Sequence, residues 1–171
     1  RSAGLVALAL LLACAGAAPS GPLFEPLPVP AEGRLLLYVY RQDEVRSGGS
    51  VRVSLTGGGS AGSLRDGEYL VLDLAEGAHE LALTLRAGWG LPRGWNRVRL
   101  EAGADRVLYV HVWADLDEVA SGPAAAEAGG DFGAPGRASR AAALNVFASR
   151  LPTAQALPAI RACRRAAPDA P

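Results

Sequence analysis

Short apolar runs alternate with turn-forming residues along the middle of the chain, between residues 34 and 114. The runs are about five to eight residues long, and Gly, Asp or Pro separates them. In three runs, Ser50 to Leu55, His79 to Arg86 and Asn96 to Glu101, Val or Leu occupies alternate positions. A period of two is typical of a β-strand with one buried and one exposed face. The inward side chains predicted by this pattern are Val51, Val53, Leu55, Leu81, Leu83, Leu85, Val98 and Leu100.

Two other runs, Leu35 to Tyr40 and Arg106 to Ala114, are apolar at almost every position. Strands that are buried on both faces have this composition, so we expect both runs to be covered on both sides. A short piece near Ser63-Leu64 and a strand from Glu68 to Leu74 bring the total to about seven strands. The sequence therefore predicts an all-β domain, a small two-layer sandwich, over residues 34–118.

The composition changes to Ala, Gly and Ser after residue 118, and we expect a linker and a short, partly helical tail over residues 119–171. Glycine-rich sequence packs poorly, so residues 121–136 are expected to be loosely ordered. An amphipathic pattern predicts a helix over Ala138 to Leu151, and a second short segment runs from Ala154 to Arg165. This second segment ends in three arginines, Arg161, Arg164 and Arg165. Two interpretations of them stay open, a solvated basic tail or contact with anionic lipid.

The N-terminal residues are a charged start, an apolar run from Ala3 to Ala13, and Cys14. The run is shorter than the roughly 20 apolar residues of a membrane-spanning helix, and it predicts a signal peptide at residues 1–13. Leu11-Leu12-Ala13-Cys14 resembles the lipobox of bacterial lipoproteins, although Leu12 stands where a small residue is commoner. The resemblance implies a diacylglyceryl group on Cys14, cleavage before it, and outer-membrane sorting because Ala15 follows. An ordinary cleaved signal and a buried first helix are the alternatives.

Residues 14–33 are rich in proline, with Pro19, Pro22, Pro26, Pro28 and Pro30. Proline lacks a backbone N–H and fixes φ, so a segment of this kind tends to be extended and semi-stiff. We therefore expect a tether that holds the domain a few tens of ångströms from a membrane, at about 3 Å per residue.

The strand region also carries a family resemblance. Leu64 to Leu74 reads LRDGEYLVLDL and Glu76 to Leu81 reads EGAHEL; Tyr38 to Arg41 (YVYR) precedes them and Tyr109 to Val112 (YVHV) follows. These motifs resemble a family of domains of unknown function found in small bacterial lipoproteins. The resemblance implies a prealbumin-like or immunoglobulin-like β-sandwich, and it implies no particular activity.

The balance of charge excludes one class of partner. The chain has 17 basic residues, all of them Arg, and 17 acidic residues, so its formal net charge is zero. It lacks the positive field with which proteins capture nucleic-acid backbones, and we expect no nucleic-acid partner. Aromatic residues make up only 6% of the chain, which leaves few large rings for a wide ligand cleft.

Only two histidines are present, which limits the possible catalytic and metal sites. His79 is in phase with Leu81, and we expect a half-buried ring bonded to the backbone of the turn. His111 precedes Asp115 and Asp117, and this group leaves open a secreted hydrolase or metal-dependent enzyme. The spacing of His111 with Asp115 and Asp117 matches no metal-binding motif. Gly58 to Gly62 reads Gly-Gly-Ser-Ala-Gly, but we expect a loop there without the strand-to-helix turn that presents a nucleophilic serine. We therefore expect no catalytic residue, metal or cofactor.

Residues Gly88 to Gly94 contain Trp89 and three glycines, and they are predicted to form a flexible loop that leads to Trp95. Exposed Trp is a common anchor in interfaces, and a ring folded over the end of the sandwich is the alternative. We expect a noncatalytic module of the bacterial cell envelope, lipid-anchored through Cys14 in the outer membrane and facing the periplasm. Its partner would be an envelope protein or glycan bound at Trp89 and Trp95.

Three interpretations of Cys163 stay open: a free thiol, a thiol in an intermolecular disulfide, or an inert residue of the tail.

Overall fold

The computed structural model of the chain describes residues 19–43, 49–87, 91–101, 105–114, 130–131, 138–139 and 146–167. The described residues are mostly in β-strands, as the apolar pattern predicts. They form eleven strands and one helix: β1 (Arg34–Arg41), β2 (Ser50–Leu55), β3 (Ser60–Leu64), β4 (Glu68–Ala75), β5 (Ala78–Ala87), β6 (Leu91–Glu101), β7 (Val107–Ala114), β8 (Gly130–Asp131), β9 (Ala138–Ser139), β10 (Val146–Leu151), α1 (Thr153–Ile160) and β11 (Arg164–Arg165).

The strands form two sheets packed face to face, which confirms the predicted two-layer sandwich. Sheet A has the order β11-β4-β1-β7-β10-β9, and sheet B has the order β3-β2-β5-β6-β8. β1 lies inside sheet A, antiparallel to β4 and parallel to β7. In an immunoglobulin constant domain the first strand instead shares its sheet with the second, fourth and fifth strands. Of the two architectures implied by the resemblance, the observed order therefore favours the prealbumin-like one.

Leu and Val side chains fill the space between the two sheets, here called the inner core. The alternating pattern predicted its members in sheet B well, because the side-chain period alone decides which face is buried. Leu55, at the end of β2, is only partly buried. The buried contributions of sheet B are Val51, Val53, Leu64, Leu81, Leu83, Leu85, Val98 and Leu100, and those of β1 and β7 include Leu35, Leu37, Val39, Leu108, Val110 and Val112.

A second apolar cluster, here called the outer core, covers the opposite face of sheet A. It contains Phe24, Leu36, Tyr38, Tyr40, Tyr69, Tyr109, Ala156, Ile160 and Cys163. Helix α1 contributes Ala156 and Ile160, and the helix lies where the sequence places its second C-terminal segment. The outer core explains why β1 and β7 are apolar on both faces, as predicted.

Residues 19–33, here called the strap, pack on the outer core. The ring of Phe24 makes edge-on contacts with Tyr38 and Tyr69, each at a centroid distance of 5.4 Å. The N–H of Leu27 donates to the Tyr38 hydroxyl at 2.8 Å, and the N–H of Phe24 donates to the Cys163 carbonyl at 3.1 Å. From residue 19 onward the segment is therefore not the free tether expected for residues 14–33, because an aromatic anchor and several hydrogen bonds hold it on the domain.

The helix expected over Ala138 to Leu151 is wrong. Residues Ala138–Ser139 and Val146–Leu151 are strands β9 and β10, and β10 pairs antiparallel with β7. Val146 and Ala148 enter the inner core, while the ring of Phe147 stacks on Trp113 at 5.5 Å. The free edge of β7 decides the outcome. β1 pairs with only one edge of β7, and the backbone N–H and C=O groups of the other edge are satisfied when a further strand pairs with them. The sandwich therefore continues beyond residue 118.

Two further expectations concern the segments around β6. The strand begins at Leu91 rather than at Asn96, which shortens the predicted loop at Gly88 to Gly94. Most of residues 121–136 lie outside the described residues, but Gly130–Asp131 form β8 beside β6. In the described part of the chain, no helix combines the length and the apolarity needed to cross a membrane.

Candidate binding groove

A groove of about 870 Å³ lies where the open edge of the sandwich separates β3 from β4. Residues from both sheets, the strap and β11 line it. Its charged residues are Arg65, Glu68 and Arg165, and its hydroxyl groups come from Ser20, Ser50 and Ser63. Its remaining lining is small or apolar: Gly21, Pro22, Ala61, Leu70, Val71, Ala166 and Ala167. About half of the lining is thus polar, and an open groove of this kind suits a small polar ligand or a headgroup.

One wall of the groove forms where the strap crosses β11. The N–H of Arg165 donates to the Pro22 carbonyl at 2.8 Å, and Arg164 Nη1 donates to the Gly21 carbonyl at 2.9 Å. A Cβ atom on Gly21 would lie 1.9 Å from the Arg165 carbonyl oxygen, so only glycine permits this close crossing. The wall therefore depends on the strap remaining docked.

The opposite wall begins at the turn between β3 and β4. The N–H of Arg65 donates to Glu68 Oε2 at 2.8 Å, and the N–H of Glu68 donates back to the Arg65 carbonyl at 3.1 Å. Gly67 adopts a φ of 77°, and its N–H donates to the Arg41 carbonyl at 3.0 Å. Glu68 is thus a buried carboxylate with a backbone donor, and the turn holds Arg65 at the rim of the groove.

A buried ion pair between Arg41 and Asp43 lies next to the groove and bonds to the residues beside its lining. Both side chains are 0% exposed, and they form two contacts, Nη2 to Oδ2 at 2.6 Å and Nε to Oδ1 at 3.1 Å. Arg41 Nη1 also donates to the carbonyls of Gly49 and Leu64, at 3.1 and 3.3 Å. These two residues directly precede Ser50 and Arg65, which line the groove.

Asp43 connects the same pair to two other elements. Its Oδ1 accepts from the N–H of Ala114 at the end of β7, at 3.0 Å, and its own N–H donates to Asp66 Oδ1, at 3.0 Å. Charge-assisted bonds of this kind are strong and directional. This network was not predicted from the sequence. The signal that could have indicated it is Arg41, which ends an apolar strand two residues before Asp43.

The composition of the groove suits the recognition of an anionic group. Arg165 is exposed, and it lines the groove together with Arg65 and the three serines. A guanidinium group has a planar set of donors that matches carboxylate and phosphate oxygens. Among the residues the structure describes, no cluster of three or more His, Cys, Asp or Glu side chains forms a metal site.

The two histidines are held by the fold. His79 Nε2 lies 2.7 Å from the Ala75 carbonyl oxygen, and the residue is half-buried, which confirms the predicted bond to the turn. His111 stacks between Tyr40 and Trp113, with ring centroids 5.1 and 5.2 Å away, and its Nε2 lies 2.9 Å from the Gln42 carbonyl oxygen. The possible partners of His111, Asp115 and Asp117, lie outside the described residues, so the alternative enzyme site stays a prediction.

The other site residues of the sequence analysis are only partly described. Cys14 and Trp89 lie outside the described residues. The backbone of Trp95 is inside β6, where it pairs with Thr84, rather than at the end of a loop. The use of Trp89 and Trp95 as a binding surface therefore stays a prediction.

Cys163 belongs to the outer core and is buried, so it is not an inert residue of a loose tail. Burial raises the pKa of its thiol to about 11, with a smaller contribution from the negative charge of Asp66. Burial likewise raises the pKa of the Tyr40 phenol to about 12. The Tyr40 hydroxyl is also buried without a hydrogen-bond partner among the described residues.

These two acids predict a loss of stability in alkaline solution. Both are buried in the neutral form, so their contribution is complete below the ordinary values of 9.0 and 10.0 and is lost as the pH rises to about 11 and 12. We expect the free energy of unfolding, measured by urea titration at a series of pH values, to fall across this range. Tyr40→Phe should flatten the upper part of the decline, and an unchanged slope in that variant would refute the assignment.

Comparison of the chain with protein-family models, with curated proteins and with solved structures found no match. The likeness to lipoproteins and to a family of unknown function therefore stays a prediction from the sequence.

Proposed function

We propose that the protein is a lipid-anchored, noncatalytic β-sandwich of the bacterial cell envelope that binds an envelope component at its groove. The observation that carries the proposal is the position of the strap. It starts at the groove, where a Cβ on Gly67 would lie 3.6 Å from Pro19 Cγ. Since Cys14 precedes Pro19 by only five residues, a lipid on this cysteine would anchor the domain beside the groove.

The chemistry of the groove supports binding rather than turnover. Its two guanidinium groups and its serine hydroxyls are donors that recognise oxygen ligands. Its one carboxylate, on Glu68, already accepts a hydrogen bond from the backbone of Arg65. His111, the histidine of the alternative enzyme site, stacks on Tyr40 in sheet A and is not among the groove-lining residues.

The anchor is tested by expressing the chain with a complete signal in a bacterial host. We expect the N-terminal peptide to begin at Cys14 with the added mass of acyl chains, and the protein to sediment with membranes. Burying the methylenes of two or more acyl chains, at about 0.8 kcal/mol each, is sufficient for stable anchoring. Cys14→Ser should move the protein to the soluble or unprocessed fraction.

Cys163→Ser provides the matched control, because it removes the other cysteine and leaves the N-terminus intact. This variant should retain both the modified peptide and the membrane pool. An unmodified wild-type N-terminus, or equal fractionation of the two serine variants, would contradict the proposal.

A further inference from the structure

The docked strap limits the distance between the lipid and the groove, if Cys14 is anchored as proposed above. Five Cα-to-Cα steps separate Cys14 from Pro19, and a fully extended chain spans at most about 18 Å over them. Strand β1 has eight residues and is about 26 Å long. The tether is therefore shorter than the sandwich, so a domain that stands upright on the bilayer must have its groove end, and not the end at Gly33 and Glu76, toward the membrane.

Positive charge is exposed at this same end. Arg164 and Arg165 are exposed in β11, Arg161 is exposed at the end of α1, and Arg65 lines the groove. The carboxylates of Asp66 and Glu68 lie at the same end and keep their negative charge, but both are less exposed than these arginines. Glu25, on the strap, is an exposed acidic residue that lies close in sequence to Gly21 and Pro22 of the groove lining.

From this arrangement we infer that the groove faces the membrane and binds the headgroups of anionic phospholipids. The phosphodiester oxygens of a headgroup match the planar donors of the exposed Arg165 guanidinium, and the serine residues of the lining suit its polar substituents. An anionic surface attracts each nearby arginine with a strength that corresponds to roughly a five-fold change in binding. The inference names the ligand of the proposed site, and so it rests on the proposed anchor.

The orientation is testable with the full, lipidated chain in vesicles that carry a spin-labelled headgroup lipid. One fluorophore is placed at the groove end with Ala162→Cys and, in a second protein, at the opposite end with Ala78→Cys; both alanines are exposed. The native Cys163 is buried and does not compete for the label. In vesicles containing phosphatidylglycerol, we expect strong quenching at position 162 and weak quenching at position 78.

Arg165→Gln is the charge variant, and it leaves the bond of Arg164 to the Gly21 carbonyl in place. We expect this variant to lower the equilibrium constant for docking of the groove end on phosphatidylglycerol vesicles roughly five-fold. Arg99→Gln, on β6 of sheet B, is the matched control and should have no effect. Unchanged thermal unfolding of both variants shows that the fold is intact.

Each outcome of this experiment leads to a definite conclusion. Quenching that depends on phosphatidylglycerol, favours position 162 and weakens in Arg165→Gln supports the inference. Equal quenching at both positions, equal behaviour on phosphatidylcholine, or release by inorganic phosphate at low concentration overturns it while the anchor stands. A chain that does not float with the vesicles overturns the anchor itself, and with it this inference.

Discussion

Replacing Asp43 by Ala is expected to lower the free energy of unfolding by about 3–5 kcal/mol. The substitution leaves the guanidinium of Arg41, which is 0% exposed, without its charged partner. It also removes the acceptor of the Ala114 N–H. An unpaired charge in the interior loses its hydration without compensation, and this loss accounts for most of the effect. Urea unfolding followed by circular dichroism measures the change.

The surface pair between Arg34 and Asp73 provides the matched control. Its N–O distance is 2.9 Å, but its side chains are 44% and 59% exposed, so Asp73→Ala should cost less than about 1 kcal/mol. The double variant Arg41→Leu with Asp43→Ala should be more stable than Asp43→Ala alone, because the Arg41 guanidinium is then no longer buried without Asp43. Equal losses in Asp43→Ala and Asp73→Ala would show that the buried pair contributes no more than a surface pair.

Phe24→Ala is expected to cost about 3–5 kcal/mol and to detach the strap. Phe24 is 8% exposed and contacts Tyr38 and Tyr69, so its removal leaves a cavity in the outer core. Without this ring, the hydrogen bond of Leu27 to Tyr38 should open as well. Amide hydrogen exchange resolves the two effects, since the strap should lose protection while the inner core keeps it.

Val29→Ala is the matched control for the strap. Val29 is 69% exposed, and its truncation should change stability by less than about 0.5 kcal/mol. If Phe24→Ala left the amide protection of the strap unchanged, the ring of Phe24 would not be what holds the strap on the outer core. Other contacts would then hold the groove wall at Gly21 in place.

Sequence patterns predicted the fold where burial depends on a single strand. In β2 and β5 the period of two places Val51 and Leu83 inward regardless of which strands lie beside them. β10 was predicted as a helix because Val146 and Phe147 fit both periods. The choice is made by the open edge of β7, and this tertiary partner is invisible in a local pattern.

The candidate site was harder to predict than the fold. Proline content predicted an extended tether over residues 14–33, but proline does not decide whether a segment packs on the domain, and from residue 19 onward Phe24 does. The groove draws Ser20, Ser50, Glu68 and Arg165 from four separate segments, so no spacing along the chain reports it. His79 was predictable because its bond to Ala75 is local.

The path of the strap also determines how the protein would respond to mechanical load. It runs from Pro19, beside Gly67, to Gly33, whose carbonyl accepts from the N–H of Glu76 at the opposite end. A pull on an anchored N-terminus would therefore peel the strap contacts one after another before any force reached β1. Once released and extended, residues 19–33 would span about 50 Å at roughly 3.3 Å per residue, which is about twice the length of β1. The strap would thus act as a stored length of chain between membrane and sandwich.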